Sequence, residues 1–259
     1  MEKVKSYAKV NLLLKVINKR SDGYQNLQMI NKRINLFDEI LIEYSDTDLV
    51  EFSQDIDTSL MYKVLNKLKD IYNIEKCFHI YIKKNIPLGA GLGGASVNSA
   101  TIIDTILKME NIFDTLENKI NNFKNLGADI PYGFVESDAI VEGTGELIYI
   151  LNEKINKPLV LVNPHIFIST KEVFTNNLKY SKSHTHEFII NNLENDALYE
   201  NDLEDSTFKL CNELSNIKQS LAKYGKVVMS GTGSTLIVHS SDVEKIKEEY
   251  PDYLVLKIS

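Results

Sequence analysis

Four glycines in six residues, Gly89, Gly91, Gly93 and Gly94, constrain this chain more than any other feature of its sequence. They lie in Pro87-Leu-Gly-Ala-Gly-Leu-Gly-Gly-Ala-Ser-Val-Asn-Ser99, after a strand-like run, Phe78–Lys83, and before a segment with the apolar spacing of a helix, Val97, Ile103, Ile106 and Leu107. Glycines this dense let backbone N–H groups turn inward and approach an anion closely, because no Cβ intervenes. The helix that follows adds free N–H groups and the positive end of its dipole. Ser96 stands where the helix starts, placed to cap it or to reach a phosphate-bound cation. The segment reads as a phosphate cradle, with a tightly packed glycine turn as the plain alternative.

Two better-known cradles do not fit. A Walker A loop needs Gly-Lys-Ser/Thr after the glycines, and none follows. Gly89, Gly91 and Gly94 satisfy G-x-G-x-x-G, but a dinucleotide fold requires a second buried strand after the helix. Lys108-Met-Glu-Asn-Ile-Phe-Asp-Thr-Leu-Glu-Asn118 is no such strand.

The 259 residues suffice for one large domain or two ordinary ones. A net charge of −7 with no basic block argues against a general nucleic-acid or acidic-membrane binder. An anionic substrate must therefore be held by local cations and N–H groups. The two cysteines, Cys77 and Cys211, form neither a disulfide framework nor a metal motif and are expected to stay reduced and packed. No signal peptide opens the chain, and no window approaches about 18 apolar residues, so a cytoplasmic protein is expected.

Alternation over Val4–Val16 predicts a strand with Ala8, Val10, Leu12 and Leu14 on the core face. Lys9 and Asn11 project together from the other face, among apolar neighbours. Ser21-Asp-Gly-Tyr24 is a turn, followed by strands around Gln28–Asn35 and Glu39–Tyr44. Leu60, Val64, Leu65, Leu68, Ile71 and Tyr72 mark an amphipathic helix, and Asp104 and Lys108 an i, i+4 pair on the next. A helix over Leu116–Leu126 should end at Gly127, with Pro131 preventing its continuation. Short strands Ala139–Glu142 and Leu147–Leu151 flank a Gly143-Thr-Gly145 turn. A polar, proline-terminated stretch, Asn152–Pro158, places a domain boundary there. Beyond it come strands Leu159–Val162, Val227–Ser230, Thr235–His239 and Tyr253–Ile258, with helices near Lys171–Asn176, Ser206–Tyr224 and Asp242–Glu249. That mixture predicts an α+β layer, while polar Lys179–Glu187 reads as an exposed loop. His184 and His186 lie in that loop with no third ligand nearby, which argues against a metal site.

Four segments in order resemble the GHMP kinase superfamily of ATP-dependent small-molecule kinases over nearly the whole length: Tyr7-Ala-Lys-Val-Asn-Leu12 with Arg20-Ser-Asp-Gly-Tyr24, the glycine loop, Leu126-Gly-Ala-Asp-Ile-Pro131, and Met229-Ser-Gly-Thr-Gly233. Asn201-Asp-Leu-Glu204 resembles a further short signature. The branch resembled phosphorylates a cytidine-diphosphate-linked methylerythritol in the non-mevalonate isoprenoid pathway. The resemblance implies an α+β, two-domain fold: an N-terminal ATP-binding and catalytic domain, 1–152, and a C-terminal, ferredoxin-like substrate-binding domain, 153–259. It implies ATP and Mg2+, with Pro87, Leu88, Gly89, Ala90, Gly91, Leu92, Gly93, Gly94, Ala95, Ser96 and Val97 around the nucleotide and Ser96 at the metal. It carries the catalytic lysine and aspartate onto Lys9 and Asp129. On the substrate side it implies that Tyr24 and Phe174 sandwich the cytosine, that Asn11 and Thr170 hydrogen-bond the ligand, and that the Gly231–Gly233 turn borders the diphosphate. A monomer or weak homodimer without nucleic-acid or membrane partners is expected.

The residues alone leave plainer readings. A strand lysine ordinarily snorkels to the surface, an aspartate before Ile-Pro ordinarily forms a turn, and Tyr24 and Phe174 can be anchors of their loops. The chain also departs from the family pattern at two positions. Gln25 stands where a histidine contacts cytosine, although an amide also offers a donor and an acceptor. Ser59 stands where an asparagine serves adenine recognition. A kinase for another small alcohol, or a non-catalytic nucleotide or metabolite sensor, therefore stays open; the presence of both Lys9 and Asp129 argues against the sensor.

Overall fold

The computed structural model describes residues 1–176 and 178–258; Asn177 and Ser259, the last residue of the expected second domain, lie outside the described residues. Its compact units are interleaved along the chain. The first comprises Met1–Ala8, Asn35–Ile86 and Gly93–Glu136; the second comprises Lys9–Ile34, Pro87–Leu92 and Ser137–Ser259.

Two long strands contribute to both units. β1 spans Glu2–Lys19 and β2 spans Gln25–Ser45, and the two pair. The expected pair of strands in the β2 region is one continuous strand. In the first unit its second part pairs antiparallel with β4 (Cys77–Lys83), Glu39 opposite Lys83 and Ser45 opposite Cys77. A short strand absent from the sequence reading, β3 (Leu49–Phe52), lies parallel to β4. Phe78, Ile80 and Ile82 alternate into the core, as period two demands.

Against that sheet pack α1 (Ser59–Tyr72) and α2 (Gly94–Met109). α1 buries Met61, Val64, Leu65 and Leu68, the i, i+3, i+4, i+7 stripe of an amphipathic helix. α2 is buried more fully, with Val97, Ala100, Ile102, Ile103 and Ile106 all inaccessible. α3 (Leu116–Phe123) is capped by Thr115 and runs into a 3-10 turn, 124–126, which stops before Gly127 as expected. Pro131 does not merely end a helix: it sits in the first turn of a further short one, α4 (Ile130–Gly133), where a missing N–H costs nothing. The Asp104 carboxylate forms an ion pair with Lys119 and the Lys108 ammonium one with Glu2.

In the second unit the first part of β2 pairs antiparallel with β5 (Ala139–Gly143), which pairs with β6 (Leu147–Ile150). The part of β1 here is covered on both faces, so Lys9, Asn11 and Leu13 are as buried as the face expected to be core. A separate four-stranded antiparallel sheet runs in the order β10-β7-β9-β8, formed by β7 (Leu159–Asn163), β8 (Val227–Met229), β9 (Leu236–His239) and β10 (Leu254–Lys257). Its helices are α5 (Thr170–Thr175), α6 (His186–Asn191), α7 (Glu204–Leu210), α8 (Asn212–Leu221) and α9 (Val243–Glu249). The single helix expected over Ser206–Tyr224 is broken at Cys211, whose φ of −139° is not helical. The polar loop expected at Lys179–Glu187 ends in α6, with Thr185 accepting from the Phe188 N–H as its cap. Cys77 and Cys211 are free thiols. No helix among the described residues is long and apolar enough to cross a membrane.

Candidate active site

Gly89, Gly91 and Gly93 have φ of +59°, +71° and +70°, a region that only glycine enters without strain, so the loop alternates its backbone direction as a cradle requires. Gly93 is the residue before α2 and no side chain caps that helix. Ser96, expected as a possible cap, is instead the third residue of the helix, in its first turn. The first N–H groups of α2 are thus left to a ligand or solvent. Ala95 and Gly89 are exposed, which keeps that end open to an anion.

Within the first unit, the start of α2 meets the segment that carries Asp129. The Ser96 Oγ lies 3.3 Å from where a Cβ on Gly127 would be, and a Cβ on Gly133 would stand 2.5 Å from that of Ala100. These two glycines let α4 and its preceding turn approach α2 closely. Asp129 stands immediately before α4, half-buried, and its carboxylate caps no N–H of that helix.

Within the second unit, the first half of the loop is strapped to β1 and to the Gly231-Thr-Gly233 turn. The Lys9 N–H donates to the Leu92 carbonyl at 3.1 Å, and the Thr235 N–H to the Ala90 carbonyl at 3.3 Å. Ser230 Oγ accepts from the Asn11 N–H and donates to the Gly91 carbonyl, each at 3.0 Å. The Asn201-Asp-Leu-Glu204 signature serves this turn: Asn201 Nδ2 donates to the Met229 and Gly231 carbonyls, and Glu204 accepts from the Met229 N–H.

The Lys9 ammonium, nearly inaccessible, donates to Asn11 Oδ1 at 2.7 Å, so the two residues that sequence alternation placed on one face do meet. Asn11 Nδ2 donates in turn to Asn31 Oδ1 at 2.6 Å. Asn31 Nδ2 is buried with no partner among the described residues. An ammonium has no acceptor, and that orients both amides of the chain.

The residues expected around a base are also in the second unit. Tyr24 is exposed on a turn fixed by Gly23 at φ +90° and by the Tyr24 N–H donating to Asp22. The Arg20 guanidinium hydrogen-bonded to Asp22 holds that carboxyl below its usual range. Gln25 Oε1 is buried without a partner among the described residues, an acceptor in reserve. The Thr170 hydroxyl is 3.1 Å from that of Thr232 in the glycine turn, and Phe174 is half-buried on α5. In the first unit, the Ser59 hydroxyl donates to Asp57 at the start of α1. His184 and His186 are anchored, the former through backbone bonds with Gln28 and the latter beside Glu142. Among the described residues no group of three His, Cys, Asp or Glu side chains could hold a metal ion.

Sequence reasoning missed Ser230, Asn31 and the carboxylate of Asp38, described below; a polar residue in or beside a strand carries no sign of a distant partner. Within the first unit, the open N–H groups at the start of α2 and the Ser96 hydroxyl in its first turn suit an anion with its associated cation.

Comparison with known proteins shows the family of the chain. The family model for the GHMP kinases N terminal domain matches residues 59–131, and that for the GHMP kinases C terminal matches 185–256. A 4-diphosphocytidyl-2-C-methyl-D-erythritol kinase of Clostridium perfringens strain 13 is 37% identical over 258 residues, 93% of this chain and 89% of the relative. Its namesake in Thermoanaerobacter pseudethanolicus is 33% identical over 96% of this chain and 91% of its own length. A crystal structure of a 4-(cytidine 5'-diphospho)-2C-methyl-D-erythritol kinase superposes with a TM-score of 0.81 at 24% identity, covering 99% and 98% of the two chains. A mevalonate kinase structure superposes at 0.69 with 15% identity, covering 100% and 99%. The α+β fold expected from the resemblance is the fold found.

Proposed function

Because the chain belongs to the GHMP kinase family, we propose that its glycine loop holds the triphosphate of ATP and that a hydroxyl of 4-diphosphocytidyl-2-C-methyl-D-erythritol receives the γ-phosphoryl. Phosphoryl transfer asks mainly for positioning and charge stabilisation, and the residues of this chain supply both. The loop N–H groups and the first turn of α2 face the phosphates. ATP arrives with Mg2+, which neutralises phosphate charge and for which the Ser96 hydroxyl is the protein contact.

Asp129, at the turn before α4, accepts the hydroxyl proton as the alcohol oxygen attacks. Lys9 keeps that carboxylate ionised and offsets charge on the transferring group. Asn11 holds the Lys9 ammonium in place, and Thr170 lies near the turn that borders the diphosphate. Tyr24 and Phe174 stack on the cytosine, and the buried Gln25 Oε1 accepts from its exocyclic amine, taking the part a histidine plays elsewhere in the family. We keep 1–152 and 153–259 as the two functional modules and expect a cytoplasmic monomer or weak homodimer.

The observation that carries this reading is the strapping of the glycine loop to the strand of Lys9 through the Leu92 carbonyl and Ser230. It is tested by ADP release over a panel of alcohols that includes 4-diphosphocytidyl-2-C-methyl-D-erythritol. Asp129→Asn and Lys9→Ala should fold normally and lose about 100-fold or more of the turnover. Near-normal turnover in either variant removes that residue from the mechanism, and preference for another alcohol reassigns the substrate.

A further inference from the structure

Asp38 is wholly inaccessible, yet its carboxylate is surrounded by donors from both flanks of the glycine loop. Its Oδ1 accepts from the Asn85 N–H at 2.8 Å and from the Ile86 N–H at 2.9 Å, the two residues just before Pro87. Its Oδ2 accepts from Asn98 Nδ2 at 2.9 Å, in the second turn of α2, and from the Lys84 ammonium, itself buried. The Lys84 Nζ lies 3.1 Å from where a Cβ on Gly94 would be, so glycine at the first position of α2 leaves room for it.

We propose that Asp38 is a positioning residue for nucleotide binding: one buried carboxylate fixes where the chain leaves β4 and where α2 begins, and so sets the span of the loop. Lys84 cancels the carboxylate charge that would otherwise oppose a triphosphate at the helix start. This inference rests on the reading of the loop as the ATP site. A carboxylate is suited to the task because it offers acceptors on two sides at once, which neither a hydroxyl nor a single carbonyl does.

Two double variants separate positioning from the mere presence of a buried charge pair. Asp38→Asn/Lys84→Met removes both charges but keeps an oxygen for the Asn85 and Ile86 N–H groups, and its new amide can donate to Asn98 Oδ1, which has no partner among the described residues. Asp38→Ala/Lys84→Met removes the same charges and every acceptor. The alanine double should raise the KM for ATP about tenfold, the equivalent of two lost hydrogen bonds, with the KM for the acceptor within about twofold of wild type. The asparagine double should return the ATP KM to within about threefold. Should a double variant not fold, Asn98→Leu, which leaves the ion pair in place, should raise the ATP KM by about threefold or more while sparing the acceptor KM.

Equal ATP KM values in the two folded doubles, an unchanged value in Asn98→Leu, or equal increases for both substrates would overturn the proposal. Hydrogen exchange in the wild-type enzyme distinguishes its two premises. If ATP with Mg2+ does not slow exchange across 87–97, the ATP reading of the loop falls and this inference with it. If exchange slows there but the doubles do not differ, only the role of Asp38 falls.

Discussion

Replacing Gly91 by alanine tests whether the first half of the loop is held by backbone contacts. Its φ of +71° already costs an alanine about 1–2 kcal/mol, because a Cβ in the left-handed region crowds the following carbonyl. Space is the second cost. A Cβ there would lie 2.1 Å from the Ser230 carbonyl oxygen, 3.0 Å from its carbon and 3.1 Å from the Gly233 oxygen. All three are backbone atoms, and the Ser230–Gly233 turn is clamped by Asn201 and Glu204, so it cannot swing aside as a side-chain end would. Forcing atoms into a packed site costs about 1–3 kcal/mol. Together these give about 2–5 kcal/mol, measurable as a shift in the midpoint of urea denaturation. Gly23→Ala is the control: its φ is +90° but a Cβ there meets nothing within 4 Å, so only the dihedral cost of about 1–2 kcal/mol applies. The reasoning is refuted if Gly91→Ala destabilises no more than Gly23→Ala.

Three further outcomes follow from charged and phenolic groups. Lys32 and Asp138 form a buried pair in the second unit, and each also bonds the Ile155 backbone, so Lys32→Met should cost about 3–5 kcal/mol in denaturant unfolding by stranding the carboxylate. Glu39 sits between Lys3 and Lys83, whose hydrogen bonds lower its pKa from 4.5 to about 2. Its folded value lies below the unfolded one, so its stabilising contribution is present above pH 4.5 and is lost as the pH falls toward 2. NMR titration of the carboxyl should show Lys83→Ala moving it upward. Burial, then the hydrogen bond to Asp114, raises the Tyr72 phenol from 10 to about 12. The folded chain holds that proton more tightly, so the associated stability is complete below pH 10 and fades as the pH climbs to about 12. The ultraviolet absorbance of ionising tyrosines, with Tyr72→Phe for comparison, reads it directly.

Elements whose pattern is local were legible in the sequence. The stripe from Met61 to Leu68 and the alternation from Phe78 to Ile82 each follow from one periodicity and one buried face. The continuity of β2 was not legible, because Asp38 interrupts an apolar run and its partners Lys84, Asn85, Ile86 and Asn98 lie 46 or more positions away. The break at Cys211 has neither glycine nor proline to announce it. In the candidate site, the loop and the Lys9–Asn11 face could be read from residue type and alternation. Ser230 could not be assigned a purpose, since its partners Asn11 and Gly91 are 219 and 139 positions distant. Gln25 was visible as a departure, but its unused oxygen became visible only once the fold buried it.

The line from Lys9 through Asn11 to Asn31 runs one way only. A group that gives hydrogens and takes none stands at its head, so rotating either amide by half a turn would set hydrogens against hydrogens or oxygen against oxygen. The lysine therefore dictates the orientation of an amide beyond the one it bonds, and that far amide is left with a hydrogen to offer. An aspartate at position 31 would still accept from Asn11 but would have none to give, and whatever oxygen settles against that hydrogen would be turned away.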